Sequence, residues 1–142
     1  MARRITTIAV LLIVQGAFDI VLGLALSGVA VYVAGGGTGL PLKSFPAEST
    51  IGVIVFGPAL LAAGGLKVYA GIRNYAYRGP LLGIAALASC AVSMANCPFA
   101  ILSFALMVFG LRVYRHRDSE RAFLMGRQGL SREWIGASLA RP

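Results

Sequence analysis

Apolar residues in this chain gather into long runs rather than amphipathic stripes, and the breaks between runs set its organisation. The first run extends from about Ile5 to Ala34, between the Arg3-Arg4 pair and the triplet Gly35-Gly36-Gly37. Residues 35–50, GGGTGLPLKSFPAEST, form a loop by their glycines, prolines and polar side chains, with Ser49 or Thr50 placed to cap a following helix. The second run covers 51–72, contains Pro58 and Lys67, and ends in RNYAYR at 73–78. A third covers 80–96; after the Cys97-Pro98 break a fourth covers 98–114. About 20 apolar helical residues cross a hydrocarbon core of roughly 30 Å. The first run is therefore long enough to tilt, and the last two, at about 17 residues each, make a short antiparallel hairpin. A cleaved leader has an apolar region of only about 7–15 residues. Asp19 would interrupt such a region, so the first run is expected to be a retained helix.

Composition agrees with lipid as the solvent. In 142 residues, 58% are apolar and mean hydropathy is +0.80, against roughly 45–50% apolar in a soluble domain. Thirteen Lys and Arg face five Asp and Glu, for a net charge of +8. Their order explains the excess. Arg3 and Arg4 precede the first run, Arg73 and Arg78 follow the second, and seven arginines from Arg112 to Arg141 close or follow the fourth. With Lys67 near the same boundary, only Lys43 falls on the other side. The positive-inside rule places both termini in the cytoplasm, as in a multi-pass inner-membrane protein, with 35–50 outside. Tyr69, Tyr75, Tyr77 and Tyr114 suit an aromatic belt at the inner boundary. The basic balance then requires no nucleic acid. The expected fold is all-α and polytopic, a four-helix transmembrane bundle over 1–114 with a basic cytoplasmic tail over 115–142.

Within VQGAFDIVLG, Gln15 and Asp19 lie one helical turn apart in an apolar run. An ionisable group inside a bilayer has lost its water and is a functional candidate by default. Counted from Arg4, Asp19 lies about 22 Å deep, whereas Lys67 counted from Arg73 lies about 9 Å deep. That count makes Lys67 snorkel inward and places Pro58, Ser93 and Asn96 level with Asp19. The expected site is Asp19, Gln15, Ser93, Asn96 and Pro58, with a neutral Asp19 donating to the Ile54 carbonyl that Pro58 leaves without its helical partner. Such a group fixes packing, carries a coupled proton or cation, or meets a partner subunit. Small residues supply close helix packing: Gly16 and Gly23, then Gly57, Gly64 and Gly71 at heptad intervals, and Gly83, Ala86, Cys90, Ser93 and Cys97 along the third run. The same stripes would serve a bundle or a homo-oligomer.

No catalytic constellation is present. The single histidine, His116, sits in RHRDSER; H-E-x-x-H, G-x-S-x-G and a phosphate-binding glycine loop are missing; Asp19 has no second carboxylate nearby in sequence. Cys90 and Cys97, seven apart, suit neither a disulfide nor a zinc site. No cofactor and no metal is expected. In the tail, Ser131 can cap a short helix whose Leu130, Trp134, Ile135 and Leu139 share an apolar side, with Arg127, Arg132 and Arg141 supplying charge. This is the pattern of an interfacial helix on anionic lipid head groups, a docking helix for a soluble partner being the rival.

From Gly64 to Asp118 the order GGLKVYAGIRNYAYRGPLLGIAALASCAVSMANCPFAILSFALMVFGLRVYRHRD resembles a broad group of small, uncharacterised four-helix membrane proteins of bacteria. The shared features are a glycine-bearing second helix, a basic aromatic loop, Gly-Ile in helix three and a proline opening helix four. The resemblance implies the four-helix architecture and a bacterial inner membrane, and it brings no catalytic residues. Small multidrug exporters also have four helices and a helix-one carboxylate, but theirs centres on Glu and their charge bias is near balance. The functional expectation is a non-enzymatic interaction or accessory subunit of a membrane assembly. The alternative is a small proton- or cation-coupled transporter using Asp19.

Overall fold

The computed structural model describes residues 2–35, 47–94 and 100–139. Among them are six helices and no strand: α1 (Ala2–Ala34), α2 (Ala47–Tyr75), α3 (Pro80–Met94), α4 (Ala100–Tyr114), α5 (Arg117–Arg127) and α6 (Arg132–Ser138). Two stretches, Arg4–Tyr32 and Ile54–Tyr75, are long and apolar enough to cross a membrane. The other two apolar helices, α3 and α4, have 15 residues each, about 22 Å of rise. Length and composition thus qualify two of the four expected spans. Asn96, Cys97 and Pro98, between α3 and α4, lie outside the described residues.

α1 and α2 pack antiparallel with their glycines interleaved. A Cβ added at Gly16 would lie 2.7 Å from the Gly64 carbonyl oxygen, and one at Gly64 would lie 2.7 Å from that of Gly16. A Cβ at Gly23 would lie 2.9 Å from the Gly57 carbonyl oxygen, one at Gly57 2.9 Å from the Ser27 nitrogen, and one at Gly71 2.8 Å from the Ala9 carbonyl oxygen. Because those neighbours are backbone atoms, no side-chain rotation could make room. The heptad glycines are therefore used within the chain, where they let two backbones touch. On α3, Gly83 lies against Asn74 and Tyr114, while Ala86 and Cys90 are fully buried; on α4, Gly110 receives Leu87.

At the end of the bundle where α2 passes into α3, Tyr77 takes a positive φ of 54° and Gly79 one of 94°. The turn buries Tyr77 rather than displaying it. Its ring meets Phe123 of α5 edge-on at 6.5 Å, and Phe123 stacks on Tyr114 at 5.4 Å. Gly126 of α5 abuts the Tyr77 backbone, so α5 lies directly over the turn. This corrects half of the expected tyrosine belt: Tyr69 and Tyr75 are exposed, whereas Tyr77 and Tyr114 are core.

The tail is also corrected. Ser131 caps α6, its hydroxyl accepting from Trp134 N at 3.4 Å. Ile135, however, is fully buried, and Leu130 and Leu139 pack against the same core cluster. α6 touches α1 and α5, so its apolar side is covered by protein. Trp134 is 57% exposed and Arg127 is exposed; these two remain turned outward. The side chain of Arg132, and Arg141 as a whole, lie outside the described residues.

Candidate functional site

Four helices each bring polar side chains to one buried place. α1 contributes Gln15 and Asp19, α2 Lys67, α3 Cys90 and Ser93, and α4 Ser103. Lys67 Nζ donates to Asp19 Oδ2 at 2.6 Å and to Ser93 Oγ at 2.5 Å. Ser93 Oγ in turn donates to the same Asp19 oxygen at 2.8 Å, closing a triangle. One turn along α1, Gln15 Nε2 donates to Ser103 Oγ at 2.5 Å, and the Cys90 thiol approaches Gln15 Oε1 at 3.7 Å. Lys67, Ser93 and Ser103 are completely buried, and Asp19 and Gln15 are each 4% exposed.

Asp19 therefore has Lys67 as its counter-ion, which overturns the neutral, carbonyl-bonded carboxyl expected from depth. The error lies in the register. Gly64 packs against Gly16 and Ile20, and Gly71 against Ala9 and Ile13. On that register Arg4 lies level with a point beyond Tyr75, the last residue of α2, so Arg73 does not mark the level of Arg4 and the depth counted for Lys67 is too small. Lys67 then falls beside Gly16, within a turn of Asp19. A Cβ at Gly16 would lie 2.9 Å from Lys67 Cβ, so the glycine gives the lysine stem its path into the core. The signal was in the sequence. Aligning the two helices by their glycine heptads, rather than by the first arginine beyond each, brings Lys67 and Asp19 together.

Of the other expected site residues, the structure brings Gln15 and Ser93 to Asp19 and leaves Pro58 on the exposed side of α2. Asn96 lies outside the described residues. Sequence reasoning missed Ser103 altogether, because nothing in α4 distinguishes one serine among apolar residues as inward-facing. Cys90, expected as a packing residue, is fully buried in the core and also touches the polar row.

The chemistry available is limited by closure. A lysine on a serine hydroxyl has the composition of a serine–lysine dyad, in which the amine acts as general base. Here the amine is held by a carboxylate and the hydroxyl is completely buried, so the arrangement serves charge neutralisation. Among the described residues no group of three or more His, Cys, Asp or Glu gathers to hold a metal ion. Elsewhere, the Ser27 hydroxyl, both side-chain polar atoms of Asn74, the Tyr114 hydroxyl and the Ser119 hydroxyl are buried without a hydrogen-bond partner among the described residues.

Two cavities flank α1 and α4. One of about 70 Å³ has an apolar lining, with Gln15 and Asp19 at its inner wall. The other, about 260 Å³, lies between Arg4 and His116 at the end of the bundle. Comparison of the chain with family models, curated proteins and solved structures gives no match in any of the three.

Proposed function

We propose that the chain is a four-pass integral membrane protein with both termini in the cytoplasm, working as a non-enzymatic interaction or accessory subunit of a membrane assembly. The observation that carries this is the closed cluster at the bundle centre. Asp19 and Lys67 satisfy one another with Ser93, so the ionisable pair fixes which helix faces lie inward and at what register. A buried polar group is best attested in that registry role. The membrane part is supported by the outer surface: Ile101 is 86% exposed, Leu81 75% and Val21 66%, with many large apolar neighbours on α1, α3 and α4. In water such a surface would aggregate.

α3 and α4 span in this reading as a short hairpin, the bilayer thinning at modest cost to meet them. The transport alternative has one observation in its favour, the small cavity reaching Asp19 and Gln15. It requires Asp19 to release Lys67 in each cycle, which leaves a buried charge uncompensated.

Native purification from membranes with mild crosslinking tests the main reading. A stoichiometric membrane partner, or a defined oligomer of this chain, is expected; recovery solely as a monomer overturns it. Proteoliposome flux across a pH gradient tests the alternative. If Asp19→Asn leaves proton-coupled flux unchanged, the carboxylate has no part in transport.

A further inference from the structure

The two cavities lie on one seam. Along α1, Arg4, Thr7, Leu11, Val14 and Phe18 follow the three-and-four spacing of a single helical face; along α4, Leu102, Ala105, Phe109 and Arg112 do the same. The cavity of about 260 Å³ occupies the arginine end, with Arg4, Arg112 and His116 at its rim and Phe109 and Val113 as its apolar wall. That of about 70 Å³ lies farther along, between Leu11, Val14 and Phe18 on one side and Leu102 and Leu106 on the other. Between the two, both helices carry short exposed residues, Thr7 and Ala105.

We infer that this seam binds one anionic phospholipid of the cytoplasmic leaflet, its phosphate between Arg4 and Arg112 and one acyl chain passing over Thr7 and Ala105 into the apolar cavity. The inference goes beyond the accessory reading and rests on its membrane-spanning part. Three features support it. Charge is complementary: two guanidiniums offer paired donors to phosphate oxygens, and a zwitterionic head group brings beside its phosphate a cation that they repel. His116 Nδ1 accepts from the backbone N–H of Asp118 at 3.3 Å and so caps α5, and the two arginines are the cationic pair at the rim.

Depth also fits. Leu11 and Phe18 lie about 10 and 21 Å along α1 from Arg4, and one leaflet contributes roughly 15 Å of hydrocarbon. A chain anchored at the arginines therefore ends in the apolar cavity. The third feature is polarity at the inner wall. Gln15 and Asp19 direct their hydrogen bonds to Ser103, Lys67 and Ser93 in the core, so the cavity receives mainly their carbon atoms. An acyl terminus there displaces no hydrogen bond.

The test uses the full chain, delipidated in mild detergent and titrated with phosphatidylglycerol or phosphatidylcholine of identical acyl chains, bound lipid being counted by native mass spectrometry. One phosphatidylglycerol should bind more tightly than phosphatidylcholine. The double variant R4Q/R112Q should bind it roughly thirty-fold more weakly, the scale of removing two arginines from an anionic lipid surface. Arg121→Gln, on the exposed face of α5, should change nothing. Ala105→Leu should weaken both lipids alike by obstructing the acyl path while leaving the arginines intact.

Equal affinity for the two lipids, an unaffected double variant, or full competition by glycerol phosphate or inorganic phosphate would each overturn the site. Alkaline washing of native membranes separates the two ideas. Protein that washes off ends the spanning reading and the lipid site together; protein that stays embedded but shows no preference for the anionic lipid ends the site alone.

Discussion

The α1/α2 interface and the α1/α4 seam share a helix yet are built on opposite plans. Against α2, α1 presents glycines, and the backbones come close enough that an added methyl group would collide with a carbonyl oxygen. Against α4 it presents Leu11, Val14 and Phe18, and the approach leaves two cavities. Close backbones position a lysine stem beside a carboxylate and keep both dry. A loose seam leaves space for a molecule that is not protein. Residue size at every third or fourth position of one helix separates a locked side from an open one.

The largest effect should come from opening the lock. Lys67→Met leaves the Asp19 carboxylate buried without its cation and should cost about 3–5 kcal/mol, read from denaturant unfolding in detergent. The double variant Asp19→Leu/Lys67→Met should recover most of that loss, since an apolar pair of similar volume replaces the ions. A single variant as stable as the parent would mean that the pair does not hold the two helices.

Enlarging a glycine on the locked side comes next. Gly16→Ala or Gly64→Ala should cost about 1–3 kcal/mol by overpacking against backbone, and Gly16→Ala should also weaken the Lys67–Asp19 coupling in a double-mutant cycle. Gly65 is the internal contrast, since a Cβ there meets nothing within 4 Å. Gly65→Ala should stabilise by about 0.5–1 kcal/mol through helix propensity alone, seen as a raised unfolding midpoint. If Gly64→Ala and Gly65→Ala behave alike, the two sides of α2 do not differ as described. The smallest effect belongs to the seam. Ala105→Leu is on an exposed position and should shift stability by no more than about 0.5 kcal/mol, while changing bound lipid.

Much of this was legible in the chain. Apolar runs placed the first four helices, with α2 beginning a turn earlier than Ile51, and glycine heptads marked the close-packed faces. Ser131 was visible as a cap because a hydroxyl three residues before Trp134 suits the first turn of a helix. Other features depended on quantities that a linear reading does not carry. The Lys67–Asp19 pair required the register between α1 and α2, and an arginine is a poor ruler because α1 begins beyond the level at which α2 ends. Tyr77 and Ile135 looked interfacial by type. They are buried because α5 and α6 fold back over the turn after α2, a long-range contact that no local periodicity encodes. Ser103 became significant only through Gln15, 88 positions away in sequence.

The closed triangle of Lys67, Asp19 and Ser93 also bears on how the bundle would respond to voltage. A single elementary charge carried across a membrane does work of about 2.3 kcal/mol for each 100 mV of potential. An ion pair whose members lie 2.6 Å apart contributes almost equal and opposite amounts, so the field exerts almost no net force on it. Placed in a membrane, such a pair would keep its ionisable groups within the core and stay electrically silent. Neutralising one partner alone, as in Asp19→Asn, would give it a charge for the potential to act on.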